Sequence, residues 1–259
     1  MKFKILLFTV LLSTTLTFSQ RNPNATYMTS FAYKAKDGMV EKFEKAAEKK
    51  TKMFNKEEGS IIYTYQVLTG NNAGVYERYL VGQSSSSYDL DRSEELEYWS
   101  DNVMPYAEAV GGQMRWQWEE WATVGDQPEP PKYINKTVFR FKPDMEAHVA
   151  RYIYRWGKVW EKRNPDAFRR VFSPVSGGDL NVFVSFSGFD EYGNVPENDS
   201  SWEEDYNEMF GWEQLAQDRK MMQKSLREWN GATRTTLERD RKSTRLNSIT
   251  DVSRMPSSA

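Results

Sequence analysis

The sequence predicts an α+β protein: two tandem β-α-β-β-α-β repeats packed sheet to sheet as a single-chain pseudo-dimer. Three observations predict it. Short runs rich in β-branched and aromatic residues alternate with helix-length apolar periodicities, and the same order occurs twice. A stretch rich in Pro, residues 125–132, separates the two sets. The sets also align at a constant offset of 106 through three strands: Tyr27 falls on Tyr133, Lys36 on Lys142, Met39 on Met145, Phe54 on Trp160 and Gly82 on Gly188. The offset then grows to about 118, because the second set has a longer loop before its second helix.

The first repeat covers 27–124. Residues 27–33 read as a strand. Asp37 is placed to N-cap a helix over 38–55, in which Met39, Phe43, Ala46, Ala47, Lys50 and Phe54 recur at helical spacing. Gly59 stops it. Strands 61–68 and 75–82 flank a Gly-Asn-Asn-Ala-Gly turn. After the Ser84–Ser87 loop comes a helix over 93–110, broken near Pro105 and ended by Gly111-Gly112, then a Trp-rich strand over 113–124. The second repeat covers 133–239: a strand over 133–141, a helix over 144–163 stopped by Asn164-Pro165, strands over 167–174 and 180–187, a helix over 202–229 broken at Gly211, and a last strand over 231–238.

The two ends read differently. Lys2 and Lys4, the apolar run Ile5–Leu12 and small residues before a cut after Ser19 predict a signal peptide over 1–19. No Cys follows that run, which excludes a lipoprotein anchor and suits export to a bacterial periplasm or the medium. Residues 240–259 resemble a translated sequencing adapter: Asp-Arg-Lys-Ser-Thr-Arg-Leu-Asn-Ser and Ser-Arg-Met-Pro-Ser-Ser-Ala match two parts of a common adapter in order. This predicts a non-native, disordered tail.

Composition narrows the function. One His and no Cys exclude disulfides, thiolate metal sites and paired catalytic histidines within one chain. A mean hydropathy of -0.77 and the absence of a membrane-length apolar run after residue 20 exclude a multi-spanning membrane protein. Residues 21–239 carry 29 Lys and Arg against 35 Asp and Glu, a net charge of -6, which disfavours nucleic acid as a partner. Nucleotide-loop, serine-hydrolase-elbow and zinc-protease motifs do not occur.

A β-α-β-β-α-β unit is similar to the ferredoxin-like fold, and two in tandem resemble the dimeric α+β-barrel superfamily. The resemblance covers about 27–239 and rests on topology. It implies helices outside a paired sheet and a pocket between the two. It also implies the activities of that superfamily, among them antibiotic-biosynthesis-type monooxygenases, haem-degrading enzymes and chlorite-dismutase-like haem proteins. The aromatic residues are the leading site candidates. Trp116 and Trp118 share one face of a strand, Tyr152 and Trp156 share a helical stripe with Trp160, and Trp99 lies in the first repeat. His148 sits one turn before Tyr152, and the resemblance makes it the one candidate haem ligand in a protein otherwise expected to hold no cofactor. Arg169 and Arg170 on one strand, and Glu77 and Arg78 on another, put charge on the sheet; one of these arginines is placed to anchor a carboxylate.

The predicted function is therefore binding of a small apolar or aromatic ligand between sheet and helices by an exported monomeric pseudo-dimer. The alternatives are a cofactor-free or haem-dependent monooxygenase and a non-catalytic envelope interaction module.

Overall fold

The computed structural model describes residues 25–56, 60–126, 130–193 and 197–240. The predicted signal peptide, and the adapter-like tail beyond Asp240, lie outside the described residues. The first half contains β1 (Tyr27–Ala35), α1 (Val40–Phe54), β2 (Ile61–Val67), β3 (Tyr76–Gln83), α2 (Ser93–Asn102), β4 (Ala107–Ala109) and β5 (Met114–Trp118). The second contains β6 (Tyr133–Arg140), α3 (Glu146–Arg163), β7 (Phe168–Ser176), β8 (Val182–Phe189), α4 (Trp202–Phe210), α5 (Gln214–Ser225) and β9 (Ala232–Arg239).

Four local details differ from the sequence expectation, each for a physical reason. Asp37 does not cap α1. Gly38 turns left-handed (φ 72°) and Met39 becomes the N-cap, without a side-chain cap bond. The second half repeats this with Asp144 (φ 64°) and Met145, because a short polar side chain tolerates the left-handed region. The helix expected to reach residue 110 stops at Asn102. Pro105 has no N–H to continue it, so a 3₁₀ turn over Met104–Tyr106 leads into β4. The long Trp-rich strand ends at Trp118, and a turn over Glu120–Ala122 swings the chain toward α3. The last helical stretch is broken at Gly211 (φ 113°), as expected, but ends at Ser225 short of residue 229, where Leu226 turns extended.

Every strand pairing is antiparallel. The first half runs β5-β1-β3-β2 and the second β9-β6-β8-β7, the same order twice. The halves do more than face each other. Tyr65–Val67 of β2 pair with Leu237–Arg239 of β9, and Arg115–Trp118 of β5 pair with Phe172–Ser176 of β7. These two seams close one eight-stranded antiparallel barrel, with β4 hydrogen-bonded beside β1.

Alternation divides each strand between two buried surfaces. The inner face fills the barrel with Met28, Tyr65, Tyr79, Trp116, Phe172, Phe186 and Leu237, among others. It also buries the Glu77 carboxylate, which accepts from the Tyr79 hydroxyl and from Lys136 Nζ at 2.7 Å. The outer face packs on helices. Phe43, Ala47, Tyr76 and Val103 join α1 and α2 to the first half, and Val149, Ile153, Val171 and Phe183 join α3 to the second. Among the described residues no helix is long and apolar enough to cross a membrane.

Leu237 is fully buried in β9 beside one seam. Leu237→Ala is expected to destabilise the fold by about 2–5 kcal/mol, read as a lowered urea midpoint.

Candidate functional site

Two clefts lie between the outer face of the barrel and its helices. The larger, about 520 Å³, belongs to the second half. Its floor is polar: Thr137 from β6, Arg169 from β7, Ser185 and Ser187 from β8, and Arg234 from β9. Its roof is aromatic: Tyr152, Trp156 and Trp160 from α3, and Trp202 from the start of α4. Trp156 and Trp202 stack with ring centres 4.3 Å apart and planes 12° apart, so the roof presents a rigid aromatic pair.

Two buried carboxylates lock this roof. Asp205 of α4 accepts from Arg163 and, at 2.9 Å, from Lys162 of α3. Asp218 of α5 binds Arg155 at 2.7 Å, Arg151 at 3.2 Å and the Tyr206 hydroxyl at 2.8 Å. Hydrogen bonds led by Lys162, with Arg163 and Ser200 beside it, outweigh the opposing effect of burial and hold the Asp205 carboxyl down to about 2.

Arg169 dominates the floor. It is 4% exposed and makes no ion pair among the described residues. Nε and Nη2 donate to the Ala122 carbonyl at 2.9 and 2.8 Å. Burial pulls its guanidinium down to about 10, still charged at neutral pH. It passes beneath α3 at Gly157, where a Cβ would lie 1.9 Å from Nη2. That explains a glycine in mid-helix, which otherwise costs about 1 kcal/mol against alanine.

The smaller cleft, about 290 Å³, lies in the first half between β1, β3, the start of α2 and Lys50 of α1. Lys50 pairs with Glu95, which also binds Arg92 at 2.5 Å. Burial, reinforced by Arg78 and opposed by Glu95, pulls the Lys50 ammonium down to about 8. Burial alone raises Glu95, but Lys50 and Arg92 outweigh it and hold its carboxyl below the usual range. Arg78 lies over the Trp99 ring at 4.6 Å, and burial pulls it down to about 10.

The predicted site residues separate into four places. Tyr152 and Trp156 roof the larger cleft, and Trp99 lines the smaller. Trp116 belongs to the barrel interior and Trp118 packs against it; neither lines a cleft. Trp116 Nε1 donates to Ser30 and Trp118 Nε1 to Thr123. His148 lines neither cleft, and its Nδ1 faces Arg151 Nη2 at 3.2 Å. The one imidazole of the chain is thus not offered to either cavity, and these residues do not fit a histidine-ligated haem. Of the strand charges, Arg169 and Arg78 point outward into the clefts. Arg170 turns to the Val124 and Gly125 carbonyls at 3.0 and 2.8 Å, and Glu77 turns inward. Trp202, Arg234 and Lys50 were missed. Lys50 carried a signal, since it stood on the apolar stripe of α1; so did Arg169, through the mid-helix Gly157.

No family model matches the chain, and no curated protein matches it. Solved structures do. A candidate monooxygenase from Fusobacterium nucleatum subsp. nucleatum ATCC 25586 is 9% identical over 83% of this chain and 92% of its own, with a TM-score of 0.55. One from Lactobacillus acidophilus NCFM is 11% identical over 83% and 93%, with a TM-score of 0.51. The chain shares the α+β-barrel fold of these proteins. A candidate chlorite dismutase superposes at a TM-score of 0.49, with 8% identity over 85% of this chain and 96% of its own.

Two measurements check the site. Gly157→Ala is expected to displace Arg169 and destabilise the fold by about 1–3 kcal/mol, read by urea denaturation and by a change in near-ultraviolet circular dichroism. For Lys50 the folded pKa lies below the unfolded one, so the unfolded state binds the extra proton between about pH 8 and 10. Stability at this residue therefore rises with pH across that window. Comparing urea midpoints of the parent and Lys50→Met from pH 7.5 to 9.5 is expected to show the rise flattened in the variant.

Proposed function

We propose that this chain binds a flat apolar or aromatic small molecule carrying one hydrogen-bond acceptor, in the cleft of the second half. One observation carries the reading. A stacked aromatic roof, Trp156 on Trp202, stands over a polar floor whose buried cation, Arg169, has no carboxylate partner among the described residues. The roof supplies apolar contact and the floor supplies orientation. Thr137, Ser185 and Ser187 offer further hydroxyls.

The chemistry of the lining supports a binder over a catalyst. Among the described residues no carboxylate or imidazole lines this cleft, and its phenol, Tyr152, is raised by burial against the opposing Arg219. A general base for proton abstraction is therefore missing from the lining. A cofactor-free monooxygenase is the second reading, favoured by the likeness to candidate monooxygenases. The repeated strand order supports tandem ferredoxin-like repeats, 27–124 and 133–239, joined by the linker 125–132 as a single-chain pseudo-dimer. The proposed setting is the bacterial envelope or medium, on the strength of the N-terminal 19 residues.

1-Naphthol tests the reading, because stacking on the roof quenches tryptophan fluorescence. Saturable quenching is expected, weakened about three- to tenfold in Trp156→Ala. Unchanged affinity in that variant removes the cleft from the binding site. Oxygen uptake with 1-naphthol, lost in the same variant, moves the assignment to the monooxygenase.

A further inference from the structure

The first-half cleft differs in charge from the cleft of the second half and requires its own account. Four cations line it, Lys50, Arg78, Arg92 and Arg115, against two carboxylates, Asp91 and Glu95. The carboxylates are already engaged. Glu95 holds Lys50 and Arg92, and Asp91 accepts from the Ser93 backbone N–H at 2.9 Å and from its hydroxyl. Neither reaches Arg78 or Arg115 within ion-pair distance.

Arg78 is the deepest of the four, only 3% exposed. A guanidinium has five N–H donors. Nε goes to Thr64 Oγ1 at 3.2 Å and Nη2 to Thr51 Oγ1 at 2.6 Å, both neutral acceptors. The Trp99 ring face lies 4.6 Å from the charge, and Tyr33, Glu95 and Asp240 favour the charged form. Burial still outweighs these groups, and an anion drawn in beside the guanidinium recovers part of that cost.

A second, independent observation lies on the same wall. The indole Nε1 of Trp99 is buried and has no hydrogen-bond partner. Buried donors are nearly always paired, and an unpaired one calls for an acceptor. Nearby, Gln83 commits its carbonyl oxygen to Thr29 at 2.6 Å, which leaves its amide as a donor in the lining. The cleft therefore holds surplus donors and surplus positive charge together.

We infer that the cleft between β3 and α2 is a binding site for the carboxylate of a small organic acid, with Arg78 and Trp99 Nε1 as its donors and Arg115 at its wall. The Arg78 fork suits a planar two-oxygen acceptor. The Glu95 carboxylate on the same lining penalises a dianion. Tyr33, packed on Trp99 at 4.8 Å, and Tyr88, under Arg115 at 4.0 Å, supply flat walls for the body of the acid. The site is separate from the Trp156 cleft, and either stands if the other fails.

Calorimetric titration of the full chain with benzoate tests the inference, with benzamide as the neutral isostere and inorganic phosphate as the competing anion. In the Trp156→Ala background, which removes the roof of the other cleft, one benzoate per chain is expected, bound at least about tenfold more tightly than benzamide or phosphate. Arg78→Gln is expected to weaken benzoate about tenfold or more, and Trp99→Phe about threefold. Arg78 is buried, so half-buried Arg115→Ala serves as the variant that retains the fold, with an expected loss of about threefold. The inference is overturned if benzoate does not bind, if benzamide or phosphate matches it, if Arg115→Ala and a folded Arg78→Gln both bind as the parent does, or if Trp156→Ala abolishes binding.

Discussion

Closure of the barrel at two seams is the constraint on which the rest of the structure depends. Each half ends in two strand edges, and an open edge is a row of unmet backbone donors and acceptors. Pairing Tyr65–Val67 of β2 with Leu237–Arg239 of β9, and Arg115–Trp118 of β5 with Phe172–Ser176 of β7, joins all four edges. Closure also separates inside from outside. The interior is narrow and solidly filled by large side chains such as Tyr65, Trp116, Phe172 and Phe186. The two clefts described above lie on the outer face.

The outer face has its own requirement, since its apolar residues need a cover and the helices provide it. A small set of buried ion pairs ties the covering helices to one another. Glu95 ties α2 to Lys50 of α1, while Asp205 and Asp218 tie α4 and α5 to α3. The two clefts thus share a construction and differ in content. One has aromatic rings above hydroxyls and a single deep arginine; the other collects four cations around one indole. The shared topology sets where the cavities are, and the side chains set what each one accepts.

The order of strands and helices was legible because each element carries its own period and its own stop. The offset of about 118 for the last strand is reproduced, since β5 begins at Met114 and β9 at Ala232. The seams were not legible, because they join residues far apart along the chain and no local pattern marks them. Alternation placed Trp116 and Trp118 on one face, correctly, but could not say which face. In this barrel both faces are buried, so the usual contrast of apolar against polar is missing. Helical spacing put Tyr152 and Trp156 together and both line one cleft, whereas His148, a turn earlier, does not reach it. Arg169 and Arg78 were visible as strand charges. Their depth was not, because it depends on helices packed above them: Gly157 over one and Trp99 over the other.

The seams carry a further consequence, for the order in which the molecule assembles. Thr236 N–H donates to Thr69 Oγ1 across 167 residues of chain, beside the β2–β9 seam. Contacts of such separation form late, after nearer ones have lowered the entropy of closing the loop. During synthesis the first half leaves the ribosome with β2 and β5 still lacking the strands that will cover them. It spends that interval as an incomplete sheet, open to pairing with another chain, until β7 and then β9 arrive.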